Sequence, residues 1–319
     1  MNVISKMLNI KYPVIQAGMV WCSGWKMARA CSENGILGVI GSGSMYPEVL
    51  DIHLSKFVEA CSKSYAVNLP LLYPDIGAHI DTIIKYKVPI VITSAGSPAK
   101  YTSILKSKGI KVIHVVSSAR FAQKAEAAGV DAVICEGFEA GGHNGREETT
   151  TFCLIPEVRR AVNIPVIAAG GIATGSAIAA AIALGADGVQ VGTRFAASKE
   201  SSAHQRFKER VVAAKEGDTV LTLKELAPVR LIKNPFYDRI LEGYRAGFSP
   251  EELRELLGKG RAKKGIFEGD LIDGELEIGQ VAALVDKIES CEEIIHDLIT
   301  DYHNTLNKMT KLNWRNRDD

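Results

Sequence analysis

The sequence predicts an α/β protein, a (β/α)8 TIM barrel with a small helical insertion domain near its C-terminus. Three observations lead there. Eight short β-branched runs recur with helix-like stretches between them. Most of the runs are apolar throughout rather than alternating, the pattern of parallel strands covered on both faces. The rhythm breaks only after the eighth run, where a more charged segment intervenes. Eight βα units in succession are the signature of a closed barrel.

In order, the strands are "YPVIQAG", "GILGVIGSG", "SYAVNL", "VPIVITSAG", "KVIHVVSS", "DAVICEG", "IPVIAAGG" and "GVQVGT". Helices are expected between them at about 24–34, 47–63, 75–86, 98–108, 118–128, 154–162 and 174–184, several closed by the Gly or Asn of a C-cap. The segment after "GVQVGTRFAASKES" reads as helices with turns, including 202–214 and 250–257. The apolar pattern "IGQVAALVDKI" then resumes and reads as the closing barrel helix. The expected organisation is a barrel from 1–200 and 273–312, an insertion or lid at 201–272, and a polar tail at 313–319.

Composition narrows the function classes. The 319 residues are 46% hydrophobic and 24% charged, as in an ordinary soluble enzyme, which excludes disordered, collagenous and disulfide-scaffold classes. A formal net charge of +1 gives no global case for nucleic acid or an anionic membrane. Six scattered cysteines with no C-x-x-C suggest neither a zinc site nor a dithiol motif, and read as reduced thiols in a cytoplasm. No long apolar run marks a leader or a membrane span, so a cytoplasmic location is expected.

A barrel of this kind assembles its active site from the loops at the C-terminal ends of the strands. Those positions are occupied by Gln16, Gly18 and Met19, then Gly41 and Gly43, Asn68, Thr93 and Ser94, and Ser117. They continue with Glu136 to His143, Gly170 and Gly171, and Gly192 and Thr193. Glycine and small polar residues dominate, which suits a ligand approached by main chain. "AAGGIATG" and "QVGTRF" fall in units seven and eight, where this fold commonly holds a phosphate, and Thr174 and Gly175 at a helix start would add to that cradle. The same glycine pairs also suit tight βα turns. "GVIGSGSMYPEV" begins like a dinucleotide fingerprint but has Tyr46 in the third glycine's place, and reads as the second barrel loop.

"YPVIQAGM", "EGFEAGGHNG", "IPVIAAGGI", "GADGVQVGTRF" and "IGQVAALV", running over nearly the whole chain, resemble the nitronate monooxygenase and type II enoyl-acyl-carrier-protein reductase family of FMN enzymes. The resemblance implies FMN as cofactor and NADH or NADPH as co-substrate. It places Gly18 and Met19 against the flavin ring and Asn68 at its polar edge. It puts Glu136, Gly141 and Gly142 beside the ring and ribityl chain, and Gly170, Gly171, Gln190, Val191, Gly192 and Thr193 at the ribityl phosphate. Gly279 and Gln280 would close the pocket, and His143 would be the catalytic imidazole. No metal is implied, and the seven histidines share no metal-ligand spacing.

"EGFEAGGHNGREETT" and "SAGSPAKY" are closer to the reductase branch, while Ala17, Ser94 and Ser97 depart from it. The leading expectation is therefore NAD(P)H-dependent reduction of an enoyl thioester in fatty acid biosynthesis. A histidine titrating near neutrality would donate the α-carbon proton or polarise the carbonyl. Nitronate oxidation with O2 is the main alternative, with His143 as base, and NAD(P)H:quinone reduction on the same fold is another. A flavin-free isomerase or binding module is the rival of a different class. The expected partners are a small-molecule or carrier-bound acyl substrate and acyl carrier protein, with neither nucleic acid nor membrane, and a homodimer is allowed. "GKGRAKKG" sets Lys259, Arg261, Lys263 and Lys264 together, as a solvated run or as contacts to an acidic partner. Thr149 to Thr151 either orient substrate or start the next helix. His114 inside a strand and Cys135, opposite in direction to Glu136, read as core.

Overall fold

The computed structural model describes residues 2–312; the tail expected at 313–319 lies outside the described residues. Eight parallel strands make the wall: β1 (Val14–Gln16), β2 (Gly38–Gly41), β3 (Tyr65–Pro70), β4 (Ile90–Ser94), β5 (Lys111–Val116), β6 (Ala132–Glu136), β8 (Val166–Ala169) and β9 (Gly188–Val191). A two-residue strand, β7 (Gly142–His143), belongs to a second sheet. The wall runs β1-β9-β8-β6-β5-β4-β3-β2 and closes through a parallel bridge between Ile15 and Leu37. These are the eight runs read from the sequence.

Strand alternation sorts the apolar side chains into two layers. Ile15, Leu37, Val39, Ile92, Ile113, Ile134 and Ile167 fill the barrel interior, joined by Ile4 and Leu8 of a short helix α1 (Val3–Leu8). That helix sits at the N-terminal mouth, where Ile4 approaches Gly188. Sequence periodicity missed it because it is only six residues long. Val14, Val67, Val91, Val112, Val133, Cys135, Val166, Val189 and Val191 point outward under the helices.

Those helices are α2 (Trp25–Glu33), α3 (Pro47–Ala60), α4 (Ile76–Lys85), α5 (Thr102–Ser107), α6 (Ala119–Ala127), α7 (Thr151–Ala161) and α8 (Gly175–Ala183). After β9 come a four-residue helix α9 (Thr193–Ala196) and then α10 (Gln205–Val212). The segment 201–272 is not purely helical, as the sequence reading had it. Besides α11 (Pro235–Ala246) and α12 (Pro250–Leu257) it carries a hairpin of β10 (Thr219–Thr222) and β11 (Val229–Ile232). β7 pairs antiparallel with β11, His143 opposite Val229, so the hairpin reaches back to the sixth barrel loop.

The closing helix is also displaced. "IGQVAALVDKI" forms only a 3-10 turn at Gln280–Leu284, and the barrel is completed by α13 (Cys291–Met309), packed between α8 and α2. α13 opens with a capping box in which Ser290 and Glu293 satisfy each other's backbone N–H groups. Among the described residues no helix is long and apolar enough to cross a membrane.

Candidate active site

At the C-terminal ends of the strands lies a cavity of about 1280 Å³. Of the residues singled out in the sequence, Gly18, Met19, Asn68, Glu136, Gly141, Gly142, His143, Gly170, Gly171, Gln190, Gly192 and Thr193 line it. Two do not. Val191 is fully buried and faces outward, because its neighbour Gln190 takes the inward place on β9. Gln280 is exposed at the start of the 3-10 turn, and of the expected pair only Gly279 lines the cavity.

The backbone of unit seven turns into the cavity at Gly170 and Gly171, with φ of 88° and 68°, a left-handed pair that side-chain-bearing residues rarely adopt. Unit eight adds Gly192 and Thr193, whose hydroxyl accepts from the Gly279 N–H at 3.3 Å. Thr174 and Gly175 do not join them. The Thr174 hydroxyl caps α8 through Ala177 N–H, Asp301 of α13 accepts from Ser176 N–H at 2.8 Å, and Gly175 is pressed against the α13 backbone. The positive end of α8 is already met by a carboxylate of the protein.

The sixth loop is held from three sides. Glu139 accepts from the Thr151 N–H at 3.0 Å and the Thr151 hydroxyl at 2.9 Å, so Thr151 heads α7 rather than facing substrate. Arg230 of β11, buried, stacks on the Phe138 ring at 4.6 Å and donates to the Phe138 carbonyl at 2.9 Å. Gly141 abuts the backbone of 278–279, where an added Cβ would lie 2.4 Å from the Ile278 carbonyl carbon. Asn68 is oriented on the facing wall by donation to the Ile92 carbonyl at 3.1 Å.

Few charged side chains line the cavity. Burial pushes the Glu136 carboxyl up to about 7, so near neutrality it is a ready proton donor rather than a fixed anion. His114 is both packed and a cavity wall, and burial pulls it down to about 4, so it stays neutral. Its Nδ1 lies 2.7 Å from the Thr93 hydroxyl, which donates onward to Ile113. His143 is the exposed imidazole, with 70% of its side chain accessible, and its Nδ1 is 3.9 Å from Glu277 Oε1.

Glu277 and His114 were not assigned to the site from the sequence, and Glu139 was included only as part of the loop from Glu136 to His143. For Glu277 a signal existed: "GELEIG" places Glu275 and Glu277 at alternate positions among apolar neighbours, so both carboxyls fall on one face of an extended segment. Burial raises both to about 7, with Glu277 adding repulsion at Glu275.

A glycine-walled cavity at this end of a parallel barrel, with an exposed imidazole beside it, has the form of a barrel enzyme's active site. The nitronate monooxygenase family profile matches residues 2–81 and 75–301, and the chain belongs to that family of flavin oxidoreductases. The structure of FabK from Thermotoga maritima is similar with a TM-score of 0.92 and 43% identity, covering 97% of this chain and 98% of that one. A Mycobacterium tuberculosis protein, (3aS,4S,5R,7aS)-5-hydroxy-7a-methyl-1-oxo-octahydro-1H-indene-4-carboxyl-CoA dehydrogenase, is 30% identical over 93% of this chain and 95% of its own length. A probable nitronate monooxygenase of Staphylococcus aureus is 34% identical over 69% of this chain and 75% of its own.

Proposed function

We propose that the chain is an FMN-dependent, NAD(P)H-consuming reductase of enoyl thioesters, with the acyl group carried on acyl carrier protein. The observation that carries this reading is the cavity itself, which joins the glycine loops of units seven and eight to His143 in one space of about 1280 Å³. Sites for one small molecule are commonly about 300–1,000 Å³, so a flavin and a second ligand fit together. The residues suit the cofactor. Gly170, Gly171, Gly192 and Thr193 offer main-chain and hydroxyl donors to a phosphate, while Gly18, Met19 and Asn68 form the opposite wall. Burial raises the Glu136 carboxyl to about 7, which weakens the negative charge it brings against the flavin near neutrality. FMN, when bound, supplies the hydride transfer. His143 supplies the proton at the substrate α-carbon, and its exposure lets it exchange that proton with water.

The thioester is supported by the FabK likeness over the whole chain, FabK being an enoyl-acyl-carrier-protein reductase, and by the CoA ester in the mycobacterial relative's name. For an acidic carrier protein, Lys259 and Lys264 are the exposed cations of the basic run that form no ion pair among the described residues. Arg261 instead donates to the carbonyls of Leu256, Leu257 and Asp273, and Lys263 pairs with Glu268. The staphylococcal relative favours nitronate oxidation as a second reading, with His143 taking a proton instead of giving one. Steady-state assays separate them: enoyl thioester must drive NADH or NADPH consumption, whereas turnover of an alkyl nitronate with oxygen and none of the thioester refutes the reductase.

A further inference from the structure

We propose that Glu277 is the positioning residue of His143 and the proton reservoir behind it. This rests on the reading that His143 exchanges a proton with substrate. β7 and the segment around Glu277 follow one another along the same edge of β11. His143 pairs with Val229 and Glu277 bridges to Leu231, while β10 occupies the other edge. Two residues far apart in sequence are thereby held at fixed spacing, with Glu277 Oε1 3.9 Å from His143 Nδ1. Nothing intervenes, because the residue before His143 is glycine; a Cβ on Gly142 would stand 3.0 Å from Glu277 Oε2. The Glu277 side chain is only 11% exposed, yet it lines the cavity.

The groups that face Glu277 leave His143 as its natural partner. Glu275 on its own segment is a like charge, on which His143 and then Arg261 act as cations, and Cys22, from the first barrel loop, is a buried thiol pushed up to about 12. Lys208, near Cys22, is engaged by the carbonyls of Lys199 and Ser201. Burial holds the Glu277 carboxyl up at about 7, so it is protonated on the acid side of neutrality and can refill the imidazole.

In the reductive direction the proton on the substrate-facing nitrogen of His143 passes to the carbanion left by hydride addition as the Glu277 carboxyl proton passes to Nδ1. The imidazole stays neutral and Glu277 ends as carboxylate. Water then protonates the exposed substrate-facing nitrogen, and Nδ1 returns its proton to Glu277, which restores both groups.

The test uses flavin-loaded wild type, Glu277→Gln and Glu277→Asp. Infrared titration of glutamate-labelled protein should show carboxyl bands that ionise near 7 in wild type, one of which is missing from Glu277→Gln. The Gln variant should lose kcat by about 10²-fold, with KM within about threefold. The fall of wild-type kcat as pH rises through about 7 should vanish with it. Wild-type kcat and an unchanged pH profile in Glu277→Gln overturn the proposal, as does an infrared titration with no band lost. If Glu277→Gln fails to bind flavin, Glu277→Asp decides: a retained pH limb at reduced kcat supports the relay, and an absent limb refutes it. Should wild type ignore enoyl thioesters, the substrate reading falls, and the same variants assayed with an alkyl nitronate still judge Glu277.

Discussion

Gly141→Ala tests how tightly the sixth loop is locked to the returning chain. The added methyl would sit 2.4 Å from the Ile278 carbonyl carbon, 2.5 Å from Gly279 N and 2.6 Å from Ile278 Cα, about 1 Å inside the 3.4 Å at which ordinary contact begins. All three are backbone atoms, so no rotamer change relieves the clash. The loop or the 278–279 segment must move, and overpacking of this kind costs about 1–3 kcal/mol. With an unfolding entropy of roughly 2.1 cal/mol/K per residue, that lowers Tm by about 2–4 °C for this chain length. The segment that moves carries Gly279, whose N–H meets Thr193, and Glu277, which faces His143. Flavin affinity and kcat should therefore fall together. Differential scanning calorimetry with a flavin-fluorescence titration checks this, and a variant within about 1 °C of wild type that binds flavin equally well would refute the reasoning.

Other substitutions separate binding from chemistry. His143→Ala should bind flavin as wild type does and lose kcat by about 10²–10⁴-fold, read by spectrum and steady-state rate. Asp301→Ala, which removes the acceptor of the Ser176 N–H in the first turn of α8 while the Thr174 cap stays, should cost about 1 kcal/mol in chemical denaturation and leave flavin Kd unchanged; a weaker Kd would place α8 in the phosphate cradle after all. Arg230→Ala should destabilise by about 2–4 kcal/mol, because the Phe138 carbonyl loses its buried donor and the ring its cation. The buried acids set a pH signature in the flavin-free protein. Glu136 binds its proton more tightly folded (about 7) than unfolded (4.5), so its contribution is complete below the unfolded value and lost as pH rises through about 7. Glu136→Gln should flatten that slope of Tm against pH, and an unchanged slope would show that the carboxyl ionises freely.

The barrel was legible because its strands are buried on both faces, so "VPIVIT" and "DAVICE" announce themselves without any partner. The same logic put Glu136 inward and Cys135 outward. Val191 was misplaced by taking a motif as a unit, when strand alternation gives the inward position to Gln190 alone. The β10–β11 hairpin was hidden because "TVLT" and "VRLI" are four-residue strands inside a charged segment, too short for a period-2 pattern to stand out. "IGQVAALVDKI" has helical spacing, yet its start stays extended. There the Gly279 N–H meets Thr193, and the 278–279 backbone lies against Gly141, contacts that no local pattern encodes. Glu277 was missed for the same reason, since its role depends on an edge of β11 shared with a strand more than a hundred residues away.

The central claim is that this cavity binds flavin and passes hydride to an enoyl thioester with His143 supplying the proton. Anaerobic titration of the purified, flavin-loaded protein tests it most directly. NADH or NADPH should bleach the flavin absorption, and an enoyl thioester added without oxygen should restore it at a rate that falls in His143→Ala. A flavin bleached only by alkyl nitronate, and unmoved by either nicotinamide, would contradict the account.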